Sequence, residues 1–506
     1  MSSAETLRLG LCHLKVTRGA PELNLARVRE LSLSAARAGA QIILHTELAL
    51  SGYGFAGRGE MLPLALALDN PALDPLRRLC REHRCYLALG LAELAPPHGL
   101  IHNSAVLWGP DGEVQARRRK VTAEPKWAAA GPGAQPGCLA DTPWGRVGLI
   151  ICSENYYSLT SRGLALAGAD LLLAPANWPP GDLDPCQLWR LRALENGVFL
   201  AACNRTGQDP RLDCRQALSA VFDPQGHCLA EYQGPDSQVL LVDIPLVAGR
   251  LASAPRRAAL QGRRPADYPY LAHDLRAVTN ITSFLELPPP GELFLRLACP
   301  PGPALAGAPE LAHWLAQAGL EPGEVVVLPR LDAPDLDREF LGRAARDRGC
   351  ALAAQLGDTA LGWATADGSV HHFPLDRPLA GEPRLVDLGP ARLGLAAAAE
   401  LRHPEAAQVL AKRGCDLVLV SAGPLPPTGL DLLAGRSLDQ VAVAVASPQG
   451  GVLAVTPQGH AAWQELRVGP GQCVGRALAT GSLRAKTWME RVDLELLLSP
   501  EGEVQP

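Results

Sequence analysis

Three residues in the first half of this chain could together do covalent chemistry. Cys152 follows the apolar run Val147-Gly148-Leu149-Ile150-Ile151, Glu47 lies just past Gln41-Ile42-Ile43-Leu44, and Lys120 closes the basic run Arg117-Arg118-Arg119. A thiol is a nucleophile, a carboxylate can move its proton, and an ammonium can hold a developing oxyanion. Singly, each has a plainer reading: a small buried hydrophobe, a solvated loop carboxylate, a solvated basic edge. Cys152 stands where a strand turns into a helix, and the free N–H groups and dipole of a helix start favour a thiolate. Labelling separates the readings: a low-pKa Cys152 should react selectively with a thiol reagent near neutral pH, whereas a structural thiol should not.

The elements that must position these residues occur twice. Val28, Leu31, Ala35 and Ala38 recur at helical spacing before Gly39, and a strand follows at Gln41 to Leu44. Further on, Leu311, Trp314, Leu315 and Ala318 recur in the same way before Gly319, and Val325-Val326-Val327-Leu328 follows. A second helix and strand over Leu76 to Gly90 has its counterpart in Phe340 to Leu356, and hairpin turns are predicted at Asp111-Gly112 and Asp367-Gly368. Strands alternating with helices, with hairpins added, predict an α/β domain with a mixed sheet, present twice. In the second copy Arg330 falls at the place of Glu47, Asp376 at that of Lys120 and Ala398 at that of Cys152. The boundaries expected are 1–272 for a catalytic domain, 273–291 for a stiff linker containing Pro288-Pro289-Pro290, and 292–506 for a second domain that has lost the chemistry.

Bulk composition narrows the function classes. The chain has 506 residues, 47% hydrophobic and 20% charged, and a formal net charge of -5, which offers no general attraction to nucleic acid or to an anionic membrane. No apolar run is long enough for a transmembrane helix, and the opening residues do not read as a secretory signal. Thirteen cysteines without close regular spacing suit reduced thiols, hence a cytoplasmic location. Cys80, His83 and Cys85 sit close together but read as a helix end leading into a strand, so no metal site is expected.

Around the three reactive residues the chain resembles the nitrilase superfamily of carbon-nitrogen hydrolases. The resemblance rests on Glu47-Leu48-Ala49-Leu50-Ser51-Gly52-Tyr53, Arg119-Lys120, Gly148 to Cys152, Pro175-Ala176-Asn177-Trp178, Arg192-Ala193-Leu194-Glu195-Asn196, Asn204-Arg205-Thr206-Gly207 and Gly262-Arg263-Arg264-Pro265, in family order. It implies a four-layer α-β-β-α sandwich, with Cys152 as nucleophile, Glu47 as general acid-base, and Lys120 with the Ser153 backbone N–H holding the oxyanion. It also implies that Tyr53, Asn177 and Trp178 line the substrate, that Glu124 serves as a second glutamate, and that no metal or organic cofactor takes part. Ser153 stands where nitrilases commonly carry tryptophan, which favours amides or N-carbamoyl compounds over nitriles as substrates. Arg162 reads as a helix-surface arginine, or as a group that meets a substrate carboxylate.

The second copy is then expected to be a degenerate nitrilase-like domain paired with the first as an intramolecular pseudo-dimer, with a further homo-oligomer open. Nitrile hydrolysis, glutaminase-type ammonia supply to a partner enzyme, and a non-catalytic regulatory binding protein are the competing functions.

Overall fold

In the computed structural model the described residues are 6–122, 127–132, 137–181, 183–210, 212–377, 384–456, 464–486, 488 and 492–499. They divide into two compact units. The first takes the described residues up to Gln261 together with 492–497; the second takes Gly262 onward to 488, with 498–499.

The first unit is built on two sheets. Its first sheet runs from Gln238–Pro245 through Thr6–Lys15, Ile42–His45, Tyr86–Ala95 and Leu100–Trp108 to Val114–Arg119, and the short strand Arg205–Thr206 also pairs with Thr6–Lys15. The second runs Cys228–Gln233, Leu218–Phe222, Phe199–Cys203, Leu171–Pro175, Gly145–Leu149, Leu139–Thr142. Central strands such as Ile42–His45 and Leu171–Pro175 are buried at every position, as expected of strands covered on both faces. One face of each sheet meets the other sheet. On the outer face of the first, helices Pro21–Arg37 and Asp74–His83 close a core that includes Val28, Ala35, Leu76, Leu79 and Trp108. Helices Ser158–Leu166 and Pro185–Asn196 cover the second, and Leu164 packs near Gly148 on the strand that leads to Cys152. The hairpin turn falls at Asp111-Gly112, where Gly112 takes the left-handed φ of +78° and Asp111 Oδ1 accepts the Glu113 N–H.

The second unit also carries two sheets. One runs Gln472–Ala479, Glu292–Cys299, Val325–Val327, Ala351–Leu356, Ala360–Ala364, Val370–Pro374; the other runs Leu385–Leu388, Ala391–Ala397, Leu417–Ser421, Ala442–Ser447, Gly450–Val455, Gln464–Val468. Taken in chain order, these strands occupy the same sheet positions as those of the first unit. Leu295, Trp363, Leu393, Leu419 and Leu453 form the core between the sheets, and helices Ala308–Gln317 and Arg338–Arg348 close a second core outside. Residues 273–291 include the helical turn Ile281–Phe284 and belong to this unit.

Candidate active site

Glu47 follows the strand Ile42–His45 as the chain leaves the sheet, and its side chain is fully buried. The turn is fixed from two sides: the Glu47 N–H donates to Ala176 O at 3.4 Å, and Thr46 Oγ1 donates to the same carbonyl. Gly90 on the neighbouring strand makes room for it, because a Cβ there would lie 2.6 Å from Glu47 Cα and from Thr46 O. Two donors converge on one carboxylate oxygen. Lys120 Nζ reaches Glu47 Oε1 at 2.6 Å and Asn103 Nδ2 reaches it at 2.7 Å, while Oε2 is buried with no hydrogen-bond partner among the described residues.

Lys120 ends the strand Val114–Arg119, and its N–H donates to Asn103 O at 2.8 Å. Burial pulls the ammonium down, but Glu47, Tyr53 and Cys152 together, with the hydrogen bond to Glu47, raise Lys120 above its usual range. Asn103 was missed in the sequence. Its one signal there is a polar group, His102-Asn103-Ser104, inside an otherwise apolar strand.

Cys152 opens the short helical segment Cys152–Tyr156 after Gly145–Leu149 and takes a φ of +42°. A non-glycine residue held in that region costs about 1–3 kcal/mol, so the surrounding structure must enforce it. Glu154 does much of this: its Oε2 accepts the Ile151 N–H at 2.7 Å and Arg118 Nε at 2.6 Å, and its Oε1 accepts the Val121 N–H at 2.8 Å. One buried carboxylate thus ties the turn of the thiol to the strand end of the lysine. The helix start that favours a thiolate meets opposing influences at Cys152. Burial first, then the Glu47 carboxylate, push the thiol well up, and neither the Lys120 charge nor the Asn177 backbone N–H offsets them. The helix start is present, but a closed site beside a carboxylate outweighs it.

The other expected residues are distributed as follows. Asn177 is buried, its backbone N–H faces the Cys152 sulfur, and its Oδ1 accepts the Cys214 thiol at 3.5 Å. Trp178 is clamped by Asn204, which accepts its N–H at 3.0 Å and donates to its carbonyl at 2.9 Å. Its ring lies 4.7 Å from that of Tyr156 and borders a cavity of about 400 Å³ with Asp184, Gln216 and Glu231. Tyr53 lies near enough for its phenol to add to the upward push on Lys120, and its N–H donates to Asp209 Oδ2 at 3.4 Å. The Ser153 hydroxyl pairs with Thr122 Oγ1 at 2.8 Å. Glu124 lies outside the described residues. Arg162, expected at a helix surface, is fully buried and donates to Glu195 O at 3.0 Å beside the Arg192–Glu195 pair, because this helix face packs on its neighbour rather than on solvent.

The corresponding ground in the second unit differs at each of these points. Arg330 donates its N–H to Ala422 O at 3.0 Å, as Glu47 does to Ala176, and its side chain pairs with Asp332 and Asp358. Ala398 starts an ordinary helix, Ala398–Leu401. Sheet register puts Leu375, not Asp376, at the place of Lys120: Pro374 pairs with Ala360 and the Leu375 N–H donates to Thr359 O, as Lys120 does to Asn103. A bulge between Leu107 and Trp108 takes up one extra residue in the first unit, a shift invisible to counting.

Residues 8–253 match the carbon-nitrogen hydrolase family model. A nitrilase of Pyrococcus abyssi is 27% identical over 231 residues, 45% of this chain and 85% of that protein. An omega-amidase of Mus musculus is 28% identical over 258 residues, 48% of this chain and 89% of that protein. Among solved structures, an amidase from Nesterenkonia sp. is 28% identical, with 48% of this chain and 92% of that chain covered at a TM-score of 0.43. On the family match and the two sequence relatives, the segment 8–253 is a carbon-nitrogen hydrolase domain of the nitrilase superfamily, and the protein is a carbon-nitrogen hydrolase.

Proposed function

We propose that the first unit hydrolyses a small primary amide or N-carbamoyl compound, releasing ammonia through a Cys152 acyl-enzyme. The observation that carries this is the buried meeting of Lys120, Asn103 and the Cys152 thiol at the Glu47 carboxylate, with Lys120 and Asn103 both on one of its oxygens. Glu47 takes the Cys152 proton as the sulfur attacks the amide carbon. The oxyanion that forms is held by Lys120 and by the Ser153 backbone N–H. Glu47 then gives the proton to the departing nitrogen, which leaves as ammonia from a thioester. It next takes a proton from water, whose attack on the thioester yields the acid and restores the thiol. A thiol pushed up in pKa fits this course, because it needs the base at the moment of attack. The names of the relatives include omega-amidase and deaminated glutathione amidase, which favours amides.

The second unit reads as a degenerate copy, 292–506, that acts as a built-in dimer partner for the catalytic domain, 1–272. Supporting this, the residues that close the first copy in sequence are held inside the second unit. Arg263 pairs with the buried Glu405 at 2.8 Å, and Lys412 Nζ donates to Leu271 O at 2.7 Å and His273 O at 2.8 Å. A chain ending at Ala272 is expected to be unstable or inactive; a stable, fully active monomer of that length would end the idea.

The direct test is ammonia release from a panel of primary amides, N-carbamoyl amino acids, glutamine and nitriles, with Cys152→Ala as blank. Release that disappears in the blank names the substrate class. A wild-type protein that releases nothing from any member overturns the reading.

A further inference from the structure

The geometry points to Asn103 as the positioning residue that selects which oxygen of Glu47 acts as the base. This rests on the proposed acid-base role of Glu47 and deepens it. A carboxylate has two nearly equivalent oxygens and rotates unless its partners hold it. Lys120 alone would hold it poorly, since an ammonium is a point charge on a flexible stem. The Asn103 amide removes this freedom. Its Nδ2 lies 2.7 Å from Oε1, the oxygen that Lys120 also contacts, so both donors occupy one side of the carboxylate and Oε2 is left without a partner among the described residues.

The backbone makes the arrangement rigid. Asn103 O accepts the Lys120 N–H at 2.8 Å, so one residue sets the height of the lysine with its main chain and the orientation of the glutamate with its side chain. Asn103 is buried in the strand Leu100–Trp108, which pairs along its length with Tyr86–Ala95, the strand whose Gly90 abuts Glu47. Its amide therefore has little room to move.

The second unit supplies an internal comparison. There the backbone bond persists, Leu375 N–H to Thr359 O at 2.8 Å, so the strand needs no asparagine to form it. Yet Thr359 stands at the place of Asn103, in the same unit that has Arg330 for Glu47, Leu375 for Lys120 and Ala398 for Cys152. Glu154, by contrast, keeps its counterpart in Glu400, whose Oε2 still accepts the Ala397 N–H at 3.0 Å. Glu400 persists where the fold persists. The amide of Asn103 is missing where the base is missing, which assigns it to the chemistry.

The test is a double-mutant cycle between Asn103→Ala and Glu47→Gln in the full chain, read as kcat and KM on the best amide of the panel. Asn103→Ala is expected to lower kcat roughly tenfold or more with KM within about twofold, the pattern of a group that acts at the transition state. In the Glu47→Gln background the same change is expected to cost almost nothing further, because there is no base left to orient. Equal losses in both backgrounds would overturn the inference, since Asn103 would then act through the fold. Unchanged kcat in Asn103→Ala would overturn it too. A wild-type protein without turnover would instead bring down the hydrolase reading and this inference with it. Should Asn103→Ala melt early, Asn103→Leu, which fills the space without a donor, goes through the same cycle: a loss of kcat confined to the Glu47 background supports the role, and an equal loss in both backgrounds overturns it.

Discussion

Arg118 and Glu154 meet as a buried ion pair, Nε to Oε2 at 2.6 Å, between the strand that leads to Lys120 and the turn that begins at Cys152. The pair draws the two halves of the site together, because Glu154 also accepts backbone N–H groups from both elements. Removing one partner of a buried pair leaves the other charge uncompensated, which costs about 3–5 kcal/mol. Arg118→Ala and Glu154→Ala are each expected to destabilise the first unit by that amount in urea melts and to abolish turnover. A cost near that of a surface pair, under about 1 kcal/mol, would mean the pair is not buried as described.

The three candidate residues were legible because Glu47 and Cys152 each follow an apolar segment and Lys120 closes a basic run, which are one-dimensional signals. What was not legible depends on neighbours across strands. Asn103 matters because the hairpin sets Ser104 opposite Arg119 and so brings Asn103 O to the Lys120 N–H, a relation that no spacing rule contains. Leu375, not Asp376, is the counterpart of Lys120 for the same reason, since a bulge shifts register without changing the residue pattern. The direction of the Cys152 pKa is not legible either, because a helix start is visible in sequence, whereas burial beside Glu47 is not. Arg162 looked like a surface residue for want of the contact with Glu195 O that covers it.

Glu47→Gln should separate the two properties of the nucleophile. The Glu47 charge raises the thiol pKa, and neutralising Glu47 removes that push. More thiolate is then present at pH 7, and alkylation of Cys152 by iodoacetamide is expected to speed up while amide turnover is lost. Slower alkylation in this variant would show that Glu47 already draws the proton from the thiol at rest.

His45 gives the first unit an acid limit. Burial lowers its pKa from 6.5 to about 3, and Nε2 lies 2.7 Å from Ser32 Oγ in an interior that has no place for a second proton. A depressed folded-state pKa means that the unfolded chain binds the proton more readily, so this contribution is whole above pH 6.5 and is lost as pH falls towards 3. His13, lowered to about 4 by burial, adds to the loss over the upper part of the same window. The melting temperature is expected to drop steeply between pH 6.5 and 4, and less steeply in His45→Gln. An unchanged slope in that variant would assign the acid loss to other groups.

The second unit should bind no substrate of its own, because Arg330 fills the place where a pocket would be. A Cβ added at Gly423 would lie 2.9 Å from Arg330 Cζ, and Gly423 stands where Asn177 faces the Cys152 sulfur in the first unit. Ion pairs with Asp332 and Asp358 keep the guanidinium there. Calorimetry of the Cys152→Ala chain with its amide is therefore expected to give one equivalent bound. Arg330→Ala should leave kcat/KM within about twofold, since Arg330 belongs to the second unit and its side-chain ion pairs, to Asp332 and Asp358, lie within that unit. Two equivalents bound by the chain with Arg330 intact would mean that the arginine gives way to a ligand, and the second unit would then be a sensor.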